Sequence, residues 1–338
     1  MRFHNVSIGS VVHVDPPQRV TSAEIEDRLA PTMKRLRVPS GLLEGLSGIV
    51  ARRMWPAGTS PSDAATIAAK RAIAAAGIDR RKLGILINTS VCRDYVEPST
   101  ASIVHGKLGL RSDCLNFDIG NACLGFLSGM EVIATMIEQG HLDYGIVVAG
   151  EDSRFIVDQT IARLSQPGAD HAAFWGSFAT LTLGSAGVAM VLTRRDLAPQ
   201  GPRFLGGVTV AASEHRDLCK GHVDRMETDS TKLLTMGLKV ARQAFTAAQR
   251  ELGWSPGVLD EYVIHQVSKA HTDKFRATFE IDPQKLLATY PEYGNVGPAG
   301  IPMVLSKAAQ AGRLTRGDRV ALMGIGSGLN CAMAEVVW

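Results

Sequence analysis

Two stretches in opposite halves of this chain repeat one pattern. The first has a β-prone run at 85–91, then Cys123, a helical pattern, Gln139-Gly140-His141-Leu142, and an apolar run ending in Ala149-Gly150. The second has a β-prone run at 262–267, then Asn295, a helical pattern, Gln310-Ala311-Gly312-Arg313-Leu314, and an apolar run ending in Met323-Gly324. Apolar runs without polar alternation belong to strands covered on both faces, which requires helices on each side of a sheet. A strand–helix–strand unit that occurs twice predicts an α/β body of two pseudo-repeated halves, 1–195 and 196–338. It also sets Cys123 and Asn295 at related helix N-termini, facing across a pseudo-twofold axis. His265, at the end of a buried strand, then lies close to both.

The stretch Asp118-Ile119-Gly120-Asn121-Ala122-Cys123-Leu124-Gly125-Phe126 places a cysteine at a strand-to-helix turn. Backbone N–H groups at a helix start have no helical partner, and the helix dipole puts positive potential there. Both effects predict a thiolate and hence a nucleophile. The helix that follows, 124–139, is apolar on nearly every face and is expected to be buried. A cysteine chosen at random usually just packs; the turn, the flanking glycines and the duplicate at Asn295 argue for a used one.

Composition narrows the remaining classes. The 338 residues, 45% hydrophobic and 20% charged, suffice for a large core. A net charge of +3 argues against a dedicated nucleic-acid binder. The five cysteines are scattered, without a C-x-x-C, which speaks against a disulfide framework or a zinc site and for a reducing, cytoplasmic setting. Residues 1–14 alternate like a strand and lack the basic start and apolar core of a signal peptide. No uncharged apolar run is long enough to span a bilayer, so no membrane span is expected.

Along the chain, strands are expected at 3–14, 83–91, 144–150, 203–212, 261–266, 319–323 and 331–337, with a hairpin of 178–183 against 188–192. Helices are expected from a Thr21-Ser22 cap, over 60–76, 99–108, 124–139 and 231–252, from Ser268, and up to Gln310. Residues 219–230 are polar. Lys34, Arg35, Arg37, Arg52 and Arg53 are open to two readings, a solvated basic face or a phosphate-binding patch.

A thiol, an imidazole and an amide in one pocket suit thioester chemistry: the thiol accepts an acyl group, and the other two donate hydrogen bonds to an enolate or oxyanion. Singly, His265 reads as a core histidine and Asn295 as a turn former. Together with Asn-Ala-Cys-Leu-Gly-Phe at 121–126, His265-Gln266, Gly-Asn-Val-Gly-Pro-Ala-Gly-Ile-Pro at 294–302 and Gly-Ile-Gly-Ser-Gly at 324–328, they resemble the thiolase-superfamily condensing enzymes, in particular the ketoacyl-ACP synthase III branch. The stretches at 48–53 and 183–187 fit that branch, so the resemblance runs the length of the chain. It implies a thiolase-like five-layered αβαβα fold and a homodimer. It also implies a Cys-His-Asn site at Cys123, His265 and Asn295, with an oxyanion hole from the Cys123 N–H and the Gly326-Ser327 turn.

Asn121 and Leu124 stand where that branch typically has alanines, Ser268 closes its His-Gln-Ala-Asn pattern, and Ser185 replaces an aspartate. These departures resemble a subgroup that joins two fatty acyl-CoA molecules head to head without decarboxylation. A malonyl donor makes its carbanion by losing CO2, whereas a plain acyl-CoA must lose an α-proton to a base. Glu97, in a loop that follows a strand, is the candidate base; the alternative is an exposed loop glutamate. The resemblance places its loop in the half that forms the dimer interface, able to enter the partner's site. The expected product is a 2-alkyl-3-oxoalkanoate (a β-keto acid) plus CoA, in long-chain olefin or ketone biosynthesis, with a downstream enzyme to consume it. Neither metal nor redox cofactor is expected; CoA thioesters are the substrates. The rivals are a decarboxylative synthase III using malonyl-ACP and a non-catalytic acyl-binding subunit. A dinucleotide-binding loop at 324–328 is disfavoured by the short chain after it, and a serine hydrolase by the lack of G-x-S-x-G.

Overall fold

The apolar runs singled out in the sequence become the strands of one nine-stranded sheet in a computed structural model that describes residues 1–255 and 257–338. From one edge the order is Leu115–Asp118, Ile85–Asn88, Tyr144–Glu151, Ala186–Arg194 and Val6–Val14. It continues with Arg203–Ala211, Asn330–Val337, Arg319–Gly326 and Glu261–Ile264. The pair Ser7 with Arg203, and a bridge of Arg2 with Gly206, join the two series. In the first, Ile85–Asn88 runs parallel to Tyr144–Glu151, which pairs antiparallel with Ala186–Arg194, which pairs antiparallel with Val6–Val14. In the second, Glu261–Ile264, Arg319–Gly326, Asn330–Val337 and Arg203–Ala211 repeat that parallel, antiparallel, antiparallel sequence. Each parallel step needs a helical crossover, and the helices Gly125–Glu138 and Gly300–Gln310 each lead into one of those strands.

Alternate residues of each strand feed different cores, and this creates the layers. Ile85, Ile87, Val147, Val188, Met190, Val263, Leu322, Ala334 and Val336 face a central core shared with Phe126, Met130, Ile133, Ile301, Val304 and Leu305 of the two crossover helices. Between them, Leu86, Ile146, Val148, Ala189 and Val191 face the helices Pro61–Ala75 and Thr100–Leu108. On the other side Ile264, Ala321, Met323 and Met333 face Ser230–Leu252 and Lys269–Thr278. The result is the expected helix–sheet–helix–sheet–helix stack of five layers. A fourth core, around Ile25, Leu29, Ile161 and Phe174, joins the helices Ser22–Arg35 and Arg154–Leu164 into a cap beside the stack.

Two expectations change. The segment expected as a strand at 178–183 holds only a short 3-10 turn, Thr180–Thr182. Its hydrogen bonds go across the chain instead: the Gly184 N–H donates to the Asn295 carbonyl at 2.8 Å, and the Asn295 N–H to the Thr182 carbonyl at 3.0 Å. The final glycine-rich run, expected as a loop after 323, continues the strand to Gly326. The polar stretch from 219 forms a small hairpin, Cys219–Gly221 with Met226–Thr228. Among the described residues, no helix is long and apolar enough to cross a membrane.

Candidate active site

Cys123 lies in a 3-10 turn, Ala122–Leu124, that leads into the helix Gly125–Glu138. Ala122 has φ +43°, a left-handed conformation that costs a non-glycine residue about 1–2 kcal/mol. The turn is braced from behind. The Asn121 amide donates to Ser128 Oγ at 2.9 Å and accepts from Asn330 Nδ2 at 3.0 Å. The end of the strand Arg319–Gly326 lies directly against it, so that a Cβ on Gly326 would stand 3.5 Å from the Cys123 nitrogen.

His265 follows the strand Glu261–Ile264 and is 2% exposed. Its N–H donates to the Met323 carbonyl at 2.8 Å, and neither ring nitrogen has a hydrogen-bond partner. A buried polar group without a partner costs stability, so an unpartnered imidazole marks a group held for a ligand. The ring abuts the start of the second crossover helix: a Cβ on Gly300 would meet His265 Nδ1 at 3.1 Å. Burial, with a smaller contribution from His271, lowers the imidazole pKa to about 3, so it is neutral. Gln266 shapes the approach to Asn295. Its Nε2 donates to the Leu287 carbonyl, and its Oε1 accepts the N–H groups of Thr289 and Tyr290.

Asn295 is half-buried, and its Oδ1 accepts the Gly297 N–H at 3.0 Å, which leaves the Nδ2 hydrogens available as donors. The turn that follows, Gly297–Ala299, packs on the Cys123 turn. The structure thus brings Cys123, the imidazole of His265 and the Asn295 turn together where the two crossover helices begin.

The expected thiolate is not what the surroundings favour. Burial pushes the Cys123 thiol up to about 12, with the nearby Cys219 and Glu151 adding in the same direction. The helix-start effect loses because the sulfur is densely surrounded and its nearest ionisable neighbours are acidic. The resting thiol and the resting imidazole are both neutral.

Glu97 sits on an exposed loop with Tyr95 and Val96, and among the described residues its carboxylate makes no hydrogen bond or ion pair. Within one chain it is not joined to the Cys123 turn. Of the basic residues, Arg52 is fully buried and donates to Ser22 Oγ and the Leu181 carbonyl, and Arg35 donates to the carbonyls of Ala169 and Gln166. These two brace the cap; Lys34, Arg37 and Arg53 keep the open alternatives. Ser185, in place of the typical aspartate, has Asp152 at 3.4 Å. Among the described residues, no group of three or more His, Cys, Asp and Glu side chains is placed to hold a metal ion.

One group escaped the sequence reading. Glu151 closes the strand Tyr144–Glu151 and is 4% exposed. Its oxygens accept the Val91 N–H at 2.7 Å and the Cys92 N–H at 3.2 Å. Burial raises its pKa to about 7, less the effect of its hydrogen bonds. The signal was one carboxylate ending an otherwise apolar strand.

Comparison with known proteins places these features in context. The family described as 3-oxoacyl-[acyl-carrier-protein] synthase III matches residues 117–208, and its C-terminal counterpart matches residues 250–338. An acyl-CoA:acyl-CoA alkyltransferase of Xanthomonas campestris is 50% identical over 338 residues, covering 100% of both chains. One of Shewanella oneidensis is 39% identical over 351 residues, again covering 100% of both. The crystal structure of cerulenin-bound Xanthomonas OleA matches with a TM-score of 0.98 at 50% identity, covering 100% of this chain and 98% of that one. Further crystal structures of that OleA carry single replacements of one glutamate, one histidine or one cysteine, with the same TM-score.

Proposed function

The chain belongs to the 3-oxoacyl-ACP synthase III family of condensing enzymes, and from that premise we propose that it is an acyltransferase that joins two fatty acyl-CoA molecules head to head. The observation that carries the chemistry is the buried His265 imidazole, both ring nitrogens unpartnered, beside the packed turns that hold Cys123 and follow Asn295. The relatives called acyl-CoA:acyl-CoA alkyltransferases support the choice of substrates.

In the first step the Cys123 proton moves to His265 as sulfur attacks the acyl-CoA carbonyl; the C–S bond to CoA breaks, and CoA leaves as the thiol with that proton. In the second, Glu97 removes an α-proton from another acyl-CoA. The carbanion attacks the Cys123 thioester, the new C–C bond forms, and Cys123 leaves as thiolate. His265 and Asn295 donate to the enolate oxygen, and the N–H groups of Cys123 and the Gly326-Ser327 turn stabilise the tetrahedral oxyanion. Hydrolysis of the remaining thioester releases CoA and a 2-alkyl-3-oxoalkanoate, the type of precursor used for long-chain olefins or ketones. The carbanion forms by proton loss, so no step draws on a metal or redox cofactor.

The roles of Cys123, His265 and Glu97 gain support from Xanthomonas OleA, whose replaced glutamate, cysteine and histidine keep the same residue types at the same spacing along the chain. Glu97 acts in a partner subunit's pocket. The strand Leu115–Asp118 is the sheet edge, with Leu115 50% and Phe117 39% exposed, and Tyr95 and Val96 in the loop of Glu97 are exposed as well. Such an edge calls for a cover, and a second copy supplies it. The active unit is a homodimer of chains divided near residue 195 into a nucleophile half and a His-Asn half. Free cysteines fit a cytoplasmic enzyme whose product passes to a downstream partner.

The test supplies acyl-CoA alone. CoA release with a β-keto acid, or its ketone after decarboxylation, is expected; product only on addition of malonyl-ACP means a decarboxylative synthase instead. Glu97→Gln retains the Cys123 acyl adduct by mass spectrometry but loses condensation. Absence of any adduct on Cys123 leaves a non-catalytic acyl-binding subunit.

A further inference from the structure

The segment from Val91 to Ser99, which carries Glu97, is a strap fixed at several points. At its start Glu151 accepts the Val91 and Cys92 N–H groups. Midway, Asp94 accepts from the Ser62 N–H at 3.0 Å and the Ser62 hydroxyl at 2.6 Å, at the start of the helix Pro61–Ala75. Just past its end, Asp118 accepts the N–H groups of Thr100 at 3.1 Å and Ala101 at 2.8 Å. Of these three carboxylates only Glu151 is fully buried, and it also borders the turns that hold Cys123 and follow Asn295. Its Oε2 lies 3.9 Å from where a Cβ on Gly297 would stand, in the turn after Asn295, and it is close enough to Cys123 to act on the thiol. The Cys92 thiol of the strap faces the same carboxylate, and Asp152, the next residue after the strand, adds negative charge; Trp55, which donates its Nε1–H to the Glu151 carbonyl at 3.1 Å, brings no charge.

Burying a carboxylate is costly, and two backbone N–H groups offset only part of that cost. The two N–H groups meet different oxygens of Glu151, Val91 at Oε1 and Cys92 at Oε2, so a neutral amide in its place would set an NH2 donor against one of them. We infer that Glu151 is a positioning residue for the condensation step, fixing the root of the strap so that Glu97 is presented at the distance and angle that α-proton removal needs. This rests on the assignment of Glu97 as base. Acylation of Cys123 does not use the strap, and there Glu151 only opposes thiolate formation. The two half-reactions therefore respond to Glu151 in opposite directions.

The experiment measures both half-reactions in Glu151→Gln and Glu151→Ala with the full-length enzyme. Acylation is read as the Cys123 mass shift after mixing with acyl-CoA, condensation as product formed per acyl-enzyme on adding more. Expected is acylation equal to or faster than wild type in both variants, condensation at least tenfold slower in Glu151→Ala, and an intermediate value in Glu151→Gln. Wild-type condensation also carries an ionisation near neutral pH that Glu151→Gln lacks. Should Glu151→Ala fail to fold, the near-isosteric Glu151→Gln carries the same comparison. Equal loss of both half-reactions, or unchanged condensation, overturns the inference. Wild-type enzyme that makes no product from acyl-CoA alone overturns the reading beneath it.

Discussion

The two crossover helices begin alike and are used differently. Each follows a 3-10 turn, Ala122–Leu124 in one half and Gly297–Ala299 in the other, and each starts on a glycine, Gly125 or Gly300. Each turn opens on a left-handed residue, Ala122 at φ +43° and Gly297 at φ +54°. Superposed by these features, Cys123 corresponds to Pro298, and Asn295 precedes its turn. The helices are therefore related as the sequence echo predicts, but the functional side chains occupy different steps of the turn. Cys123 stands within its turn. The amide points from ahead of its turn, where Gly297 holds its oxygen and orients the donor.

The largest expected effect concerns protonation of the nucleophile. A thiol held at about 12 has roughly one part in ten thousand as thiolate at pH 8. Alkylation of Cys123 by iodoacetamide in the free enzyme should rise about tenfold per pH unit, with no plateau between pH 7 and 10. A plateau below pH 8 would mean that the helix start dominates after all, and that the two turns differ in charge and not only in geometry.

Next in size is the paired glycine that starts each helix. A Cβ on Gly300 meets the His265 ring, at Nδ1, at 3.1 Å; a Cβ on Gly125 meets the Thr89 backbone oxygen at 3.0 Å. Backbone in a buried strand end yields less than a side chain with room to rotate. Gly300→Ala should therefore reduce kcat by ten- to a hundredfold with little change in Tm, by tilting the imidazole. Gly125→Ala should lower Tm, by the order of 1–3 kcal/mol in stability. Measuring kcat and Tm for both variants decides it; the reverse pattern would mean that the imidazole is held elsewhere than against this helix.

These contrasts bear on what the sequence could reveal. Strands covered on both faces were legible because apolar runs such as 144–150 and 319–323 carry no polar alternation, a local property that survives folding; the number of layers followed only from the family resemblance. Cys123 was legible because its turn and helix are contiguous. The state of its thiol was not, because it depends first on burial by the folded chain and then on Cys219 and Glu151, groups brought in by distant parts of it. The stretch at 178–183 has β-forming residues, yet its partners lie at Asn295, and a hydrogen bond between such distant residues leaves no trace in local propensity. Glu151 carried a faint signal, a carboxylate ending an apolar strand, whose meaning appears only when the strap folds over it.

The smallest effect tests whether the left-handed residue matters in both turns. Gly297 adopts φ +54° at no steric cost, so Gly297→Ala should lose about 1–2 kcal/mol from backbone conformation. Its new Cβ stands 3.8 Å from the Glu151 carboxyl carbon, an ordinary contact, so no clash adds to the loss. At Ala122 the same conformation is already strained. Ala122→Gly relieves a similar amount in the fold but also frees the unfolded chain, which returns about 0.5–1 kcal/mol to the unfolded side. The expected net change is within about 1 kcal/mol, and toward greater stability. Chemical denaturation of the two variants separates these cases. If Ala122→Gly is as destabilising as Gly297→Ala, the alanine methyl is packed rather than strained, and the turn that bears Cys123 is held by its side chains; if it is neutral or stabilising while acylation slows, the strain at Ala122 serves to aim the sulfur.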